Sequence, residues 1–230
     1  MEVIHNEDCY VAFLDMLGFS NAVISESPKL IEEIFDTIKN CKKEILNDKC
    51  AWDNESDNLA NNTVIYIMSD SIVLAIKSSI GGAIDFLIRW CKEIQFRLLS
   101  RHKILVRGGI SQGLHYQDNE IAFGVGFVKA HMIECVAKTP RIVIDDAIDI
   151  PLGCNVSEDI DKKKYIDFLG DCYWDDEKTR YWMSFANSNI KKNEGLIEKY
   201  KWLSNQFASC NDRYEMKISE EEYSKNNLGL

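Results

Sequence analysis

Residues 10–20 (YVAFLDMLGFS) constrain this chain more than any other stretch: an apolar run of strand length carries one carboxylate, Asp15, and then breaks at Gly18. A carboxylate at the end of a buried strand costs free energy unless a partner or a cation meets it. A second acid, Asp70, lies in Ser69-Asp70, between apolar, β-branched runs at 63–68 and 71–77. That spacing signals a hairpin, although neither residue of the dipeptide is a favoured turn glycine. Two acids set into two apolar strands suggest one shared metal site. On these residues alone, a strand-end acid and an unrelated hairpin acid remain an equal alternative.

The remaining periodicities supply the frame. Ser27 as cap and Pro28 at the first helical position open a helix. Its apolar positions Leu30, Ile31, Ile34, Phe35, Ile38, Cys41 and Ile45 carry it to about Asp48. Residues 49–62 are polar and read as a loop, and a second helical pattern runs from Ala83 to Leu98 after Gly81-Gly82. Residues 104–113 (ILVRGGISQG) read as a strand whose glycines allow close backbone approach. A helix from about Phe127 to Ala137 and a strand at 141–145 follow. The order β-α-β-β-α-β, then α-β, predicts an α+β, ferredoxin-like fold with additions. In such a sheet the first strand and the hairpin are neighbours, so Asp15 and Asp70 can reach one point.

Beyond about residue 146 the pattern weakens. Residues 155–164 look like a charged surface loop. Residues 165–186 read as short aromatic strands (Tyr165, Phe168, Tyr173, Trp174, Tyr181, Trp182, Phe185) turning at 175–178. Residues 188–209 read as a last helix and 211–230 as a loosely held tail. The expected organisation is a single domain, with a core over 1–150 and an extension over 151–230 packed on it.

Composition excludes several classes. A net charge of -10 disfavours nonspecific binding to nucleic acid polymers or anionic lipid. No apolar run approaches the ~20 residues that cross a bilayer, and the acidic, polar start does not resemble a signal peptide. The 8 cysteines are scattered, with no C-x-x-C pair and no His at zinc spacing, so reduced thiols in a cytoplasm are expected and zinc is not. His5, His102 and His115 are expected to be solvated, and the aromatics at 165–185 to be core or dimer packing. Two hard carboxylates suit Mg²⁺ or Mn²⁺, and two such ions ~4 Å apart can activate one oxygen while holding a triphosphate. The backbone of Leu17–Ser20 can turn N–H groups toward phosphate.

Four ordered motifs carry a resemblance. Phe13-Leu14-Asp15-Met16-Leu17-Gly18-Phe19 resembles the F-x-D-x-x-G-F signature of class III nucleotidyl cyclases. Ser69 to Ala75 is similar to their second metal-aspartate hairpin, and Arg107 to Gly113 to their R-x-G-I-x-x-G strand. Phe123-Gly124 with Phe127 to Glu134 occupies the place of their G-x-x-V-N-x-A-A-R-L-E helix. The departures are Tyr66 for the purine-reading Lys, Ile121 for its acidic partner, and Val128 and Met132 for the Asn and Arg that serve ribose and transition state. With the segment Ile133-Glu134 through Pro140 to Asp145, that combination most resembles the compact bacterial pyrimidine cyclases of the Pycsar antiphage system.

What the resemblance implies is a UTP or CTP cyclase. Its two Mn²⁺ or Mg²⁺ ions would be held by Asp15, Asp70 and the Met16 carbonyl. Phe19, Tyr66, Arg107 and Arg141 would contact substrate, with Tyr66 stacking on the one-ring base. Arg107 is the first choice to replace the missing transition-state cation, ahead of Arg141, Lys129 and His131. The resemblance also implies a homodimer with sites at the subunit interface, and a downstream effector that responds to the cyclic nucleotide without direct contact. A purine cyclase, another ferredoxin-like enzyme such as a diguanylate cyclase, and a non-catalytic nucleotide-binding module on the same fold are the alternatives. The diguanylate reading is weakened because the sequence has no G-G-[DE]-E-F motif.

Overall fold

The computed structural model describes residues 3–19, 23–24, 28–48, 59–118, 120–153, 155–170, 175–190 and 197–228. Ser20, the Ser27 cap, most of the 49–62 loop, Tyr173 and Trp174 fall outside them. Strand β1 (Ile4–Leu17) is the spine of the sheet. It pairs antiparallel with β3 (Ser71–Lys77) on one side and β4 (Leu105–Gln117) on the other. Strand β2 (Thr63–Met68) extends the sheet beyond β3. Helix α1 (Pro28–Leu46) connects β1 to β2, and α2 (Ala83–His102) connects β3 to β4. The strand order β2-β3-β1-β4 is the ferredoxin-like one the sequence predicts.

Period-two alternation along β1 divides the core. Ala12, Leu14 and Met16 point with Ile72, Leu74 and Ile76 toward one face, where Ile34, Ile38 and Cys41 of α1 and Phe86, Leu87 and Ile94 of α2 cover them. Cys9, Val11 and Phe13 point the other way, with Val64, Val73 and Ala75. Asp15 and Arg107 continue that second face. Helix α3 (Val125–Val136), which follows the short strand β5 (Ala122–Gly124), lies on it. Close approach is built in by glycine. A Cβ on Gly109 would collide with the Ala130 carbonyl and the Ile133 side chain, and Gly113 and Gly126 lie against one another. Ser111 Oγ donates to the Gly126 carbonyl at 2.6 Å, pinning the start of α3 to β4.

The C-terminal part departs from the sequence-based expectation. Strand β6 (Ile142–Ile144) pairs in parallel with β4, and β8 (Lys164–Ile166) and β7 (Val156–Glu158) carry the same sheet onward. Part of the supposed 155–164 loop is therefore strand. The aromatic segment 175–186 is helical: α4 (Asp176–Ile190) starts where a turn was expected. Asp175 accepts from the Lys178 N–H at 2.8 Å, which is N-cap chemistry. Helix α5 (Ile197–Leu228) runs through the stretch read as a loose tail. Trp182 stacks on Phe207 with ring centroids 5.6 Å apart, and both join Leu17, Leu99, Leu105 and Tyr165 in a second cluster. Helices α4 and α5 are thus tied to the end of β1. No helix among the described residues is long and apolar enough to cross a membrane.

Candidate functional site

The register of β1 decides what meets Asp15. Its cross-strand partners are Ser71 on β3 and Arg107 on β4. Asp70 lies in the two-residue turn between Met68 and Ser71, where Ser69 takes a positive φ of 53° that hairpin turns of the primed types demand and glycine usually supplies. The turn is latched to β1: the Met16 N–H donates to the Asp70 carbonyl at 2.9 Å. Asp15 and Asp70 are thereby brought to one corner of the sheet, as the sequence predicts. Asp15 is half-buried, and so is Asp70.

Arg107 completes the corner. Its Nε donates to Asp15 Oδ2 at 3.2 Å and also faces Oε1 of Glu134, and its Nη1 donates to the Ala137 carbonyl at 3.4 Å. Glu134, in the last turn of α3, has a side chain only 3% exposed, and its Oε2 lies 3.4 Å from His131 Nδ1. The resulting row is Asp70, Asp15, Arg107, Glu134, His131, with the guanidinium set between the Asp15 and Glu134 carboxylates. Burial, and after it the Glu134 carboxylate, push the Asp15 carboxyl above its ordinary range; Arg107 opposes them and Asp70 adds a smaller push. An acid held in that condition gains more from a bound cation than a solvated one does.

Lys199 was missed because it lies in what reads as an extension. It occurs in the first turn of α5, next to Tyr200, which belongs to the cluster that includes Leu17. Burial chiefly, then Arg107, pull its ammonium below the ordinary lysine range, while Asp15 and Glu134 oppose. Its charge is therefore felt at the Asp15 corner. Only the placement of α5 against the end of β1 could have revealed it.

Other predicted residues fall elsewhere. The Phe19 side chain is buried in the core edge-on to Phe35, so it is not offered to a substrate. Arg141 is buried between Asp159 and Asp161, whose carboxylates it engages through Nη1 and Nη2. Its charge is satisfied in anchoring β6 to the 159–161 turn, and it is not among the groups around Asp15. Trp202 Nε1 donates to the same Asp159 at 2.8 Å. The Met16 side chain is core, and its main chain is part of the latch. Tyr66 shares the Asp15 face of the sheet, packs, as Phe127 does, against the cluster of Phe13, Val64 and Val73, and donates its hydroxyl to the Glu120 carbonyl at 3.1 Å. Lys129 is exposed. His115 is fully buried, with Nε2 2.8 Å from Gln117 Oε1, and His102 is half-buried against Thr37 Oγ1 at 2.7 Å; neither is solvated as expected.

No protein-family model matches the sequence, and no curated protein does. Among solved structures, the dimeric guanylyl cyclase domain of a RhoGC fusion protein from the aquatic fungus Blastocladiella emersonii is similar at a TM-score of 0.49 and 13% identity, covering 71% of this chain and 95% of that one. The adenylyl cyclase CyaB from P. aeruginosa gives 0.44 and 16%, covering 64% and 80%. A bacterial light-regulated adenylyl cyclase gives 0.47 and 12%, covering 72% and 92%. At such scores the likeness carries no weight about chemistry. That has to come from the residues at the corner.

Proposed function

We propose that this chain is a nucleotidyl cyclase acting on a pyrimidine nucleoside triphosphate, UTP or CTP, to give the cyclic 3′,5′-monophosphate and pyrophosphate. The observation that carries the reading is the latched pair Asp15 and Asp70, hard oxygen donors held side by side by backbone hydrogen bonding. That donor set fits Mg²⁺ or Mn²⁺ and would suit no soft metal. Asp15, Asp70 and the Met16 carbonyl would hold two such ions, which when bound supply Lewis-acid charge for the 3′-oxygen and the phosphates.

The chain's own residues do the rest. Arg107, oriented by Glu134 and the Ala137 carbonyl, keeps Asp15 in place and lends positive charge beside the α-phosphate. Lys199 adds a second cation to the corner, which supports charge stabilisation without the family's usual Arg at position 132. Tyr66 offers a π-face on the same side of the sheet, and with no Lys at that position a purine-specific contact is lacking. Val125, Val128, Met132 and Val136 form an exposed apolar stripe along α3, each more than half exposed. That stripe supports a homodimer with α3 in the interface. On this reading the product is a cytoplasmic second messenger for an effector in antiphage defence.

The test is to incubate the purified chain with each of the four ribonucleoside triphosphates and Mn²⁺ and identify products by mass spectrometry. Cyclic UMP or cyclic CMP, abolished in Asp15→Asn and in Asp70→Asn, is the expected result. A purine cyclic nucleotide as the main product would overturn the base assignment alone. No product with any triphosphate, together with unchanged triphosphate binding in Asp15→Asn, would overturn the cyclase reading.

A further inference from the structure

The sequence contains no zinc-type cysteine pair, but α3 assembles another kind of ligand set. His131, Glu134 and Cys135 lie at i, i+3 and i+4, so their side chains share one flank of the helix. Their ligand atoms all fall within 4.8 Å of one another. Cys135 Sγ is 3.6 Å from His131 Nε2 and 3.8 Å from Nδ1, and Nδ1 is 3.4 Å from Glu134 Oε2. A tetrahedral zinc ion, with Zn–S of about 2.3 Å and Zn–N or Zn–O of about 2.1 Å, separates its N and S ligands by about 3.6 Å and its N and O ligands by about 3.4 Å. With Nδ1 as the imidazole ligand, the N–O edge of 3.4 Å already matches that tetrahedron and the N–S edge of 3.8 Å is slightly long.

Three further features favour a bound ion over a chance cluster. Glu134 is almost wholly buried and divides its oxygens, Oε1 toward Arg107 and Oε2 toward His131. One oxygen can therefore ligate while the other keeps its ion pair. The His131 ring rests on Phe13 at a centroid distance of 4.7 Å, which restricts its orientation. Cys135 is exposed, unlike Cys9, Cys41, Cys91 and Cys210, which are buried. The set lies about 90° round the helix from the apolar stripe, on the side facing Asp15.

We propose that His131, Cys135 and Oε2 of Glu134 bind a borderline-soft divalent cation of the zinc type, leaving a fourth position for water. On binding, the Cys135 S–H bond breaks, an S–metal bond forms, and the proton leaves to buffer. The imidazole and carboxylate coordinate without further proton loss. A thiolate in the set selects against the hard ions suited to Asp15 and Asp70, so the two neighbouring sites sort cations by softness.

Cobalt(II) is the probe, added to the whole reduced protein under anaerobic conditions. One equivalent per chain should develop a thiolate-to-cobalt charge-transfer band in the near ultraviolet and strong four-coordinate bands in the visible, whatever further cobalt the Asp15 and Asp70 oxygens take up without such bands. Cys135→Ser should abolish the charge-transfer band with the far-ultraviolet circular dichroism unchanged. His131→Ala should weaken binding by more than the roughly 10- to 100-fold that loss of an outer-shell partner costs. Asp15→Asn should leave the bands intact. The same charge-transfer band in Cys135→Ser, or saturation of the whole protein with cobalt and no such band, would overturn the proposal.

Discussion

Replacing Arg107 by Met tests whether the corner is held together by charge. Arg107 keeps a quarter of its side chain exposed and Glu134 only 3%, so the guanidinium is the main counter-charge for a carboxylate that water barely reaches. At the 3.2 Å separation of Arg107 and Asp15, an effective dielectric of ~20 gives an attraction of about 5 kcal/mol. Much of that is offset by desolvation, and breaking a buried pair by removing one partner typically costs about 3–5 kcal/mol. For a chain of this length that is a fall in Tm of roughly 6–20 °C. Glu134→Gln should cost less, about 1–3 kcal/mol, because Arg107 keeps Asp15 and a neutral amide is left behind. In the Glu134→Gln background, Arg107→Met should then cost at least about 2 kcal/mol less than in the wild type. Urea unfolding of the four proteins measures the cycle. Costs that add to within about 0.5 kcal/mol would show that the two residues do not depend on each other, and the picture of Arg107 as the buried counter-charge would be wrong.

The same structure makes further demands. Met132→Glu places a charge in the middle of the exposed α3 stripe and should give a monomer in light scattering where the proposed homodimer is seen for the wild type, without changing the circular dichroism; a dimer of unaltered stability would put the interface elsewhere. Burial holds the His115 imidazole below its ordinary 6.5, so the unfolded chain takes up a proton that the folded one refuses. Stability should be retained above that value and fall as the pH drops below it, and His115→Gln should flatten the decline in Tm between pH 7.5 and 5.5 (both about one unit from the ordinary value). Phe207→Ala, removing a ring only 1% exposed, should cost about 3–5 kcal/mol; a cost typical of a surface site would mean that α5 is not part of the fold. Lys199→Met should lower turnover by about 10²-fold, in the range for loss of one transition-state donor, with Mn²⁺ affinity little changed.

What could be read from the sequence follows from where its periodicities are strong. β1, the hairpin and both crossover helices announce themselves because one face of each is apolar, and their order then brings Asp15 beside Asp70. That something approaches β4 closely was also legible in Gly109 and Gly113, although only the structure shows that it is α3. Three things were not. The segment 175–186 is rich in aromatics, which favour strands, but Trp182, Phe185 and Ala186 face the core at helical spacing and Asp175 caps the helix. Arg141 resembles a substrate contact by position, but Asp159 and Asp161, nearly twenty residues later, engage it, and only the β6–β8–β7 pairing brings them there. The grouping of His131, Glu134 and Cys135 was not singled out either, since neither a cysteine pair nor a His at zinc spacing marks it, and only the side-chain placement on α3 brings their ligand atoms within 4.8 Å of one another.

The hydrogen bond from the Met16 N–H to the Asp70 carbonyl has one more implication. It fixes the span between the two acids through the main chain, so most of the ordering that a cation would otherwise have to impose is complete when the sheet folds. Substitutions at Asp15 or Asp70 should then change the number of ligands and leave the shape of the site alone. A change at the turn, such as lengthening 69–70 by one residue, should do the reverse: every ligand would be kept, and the gauge between them lost.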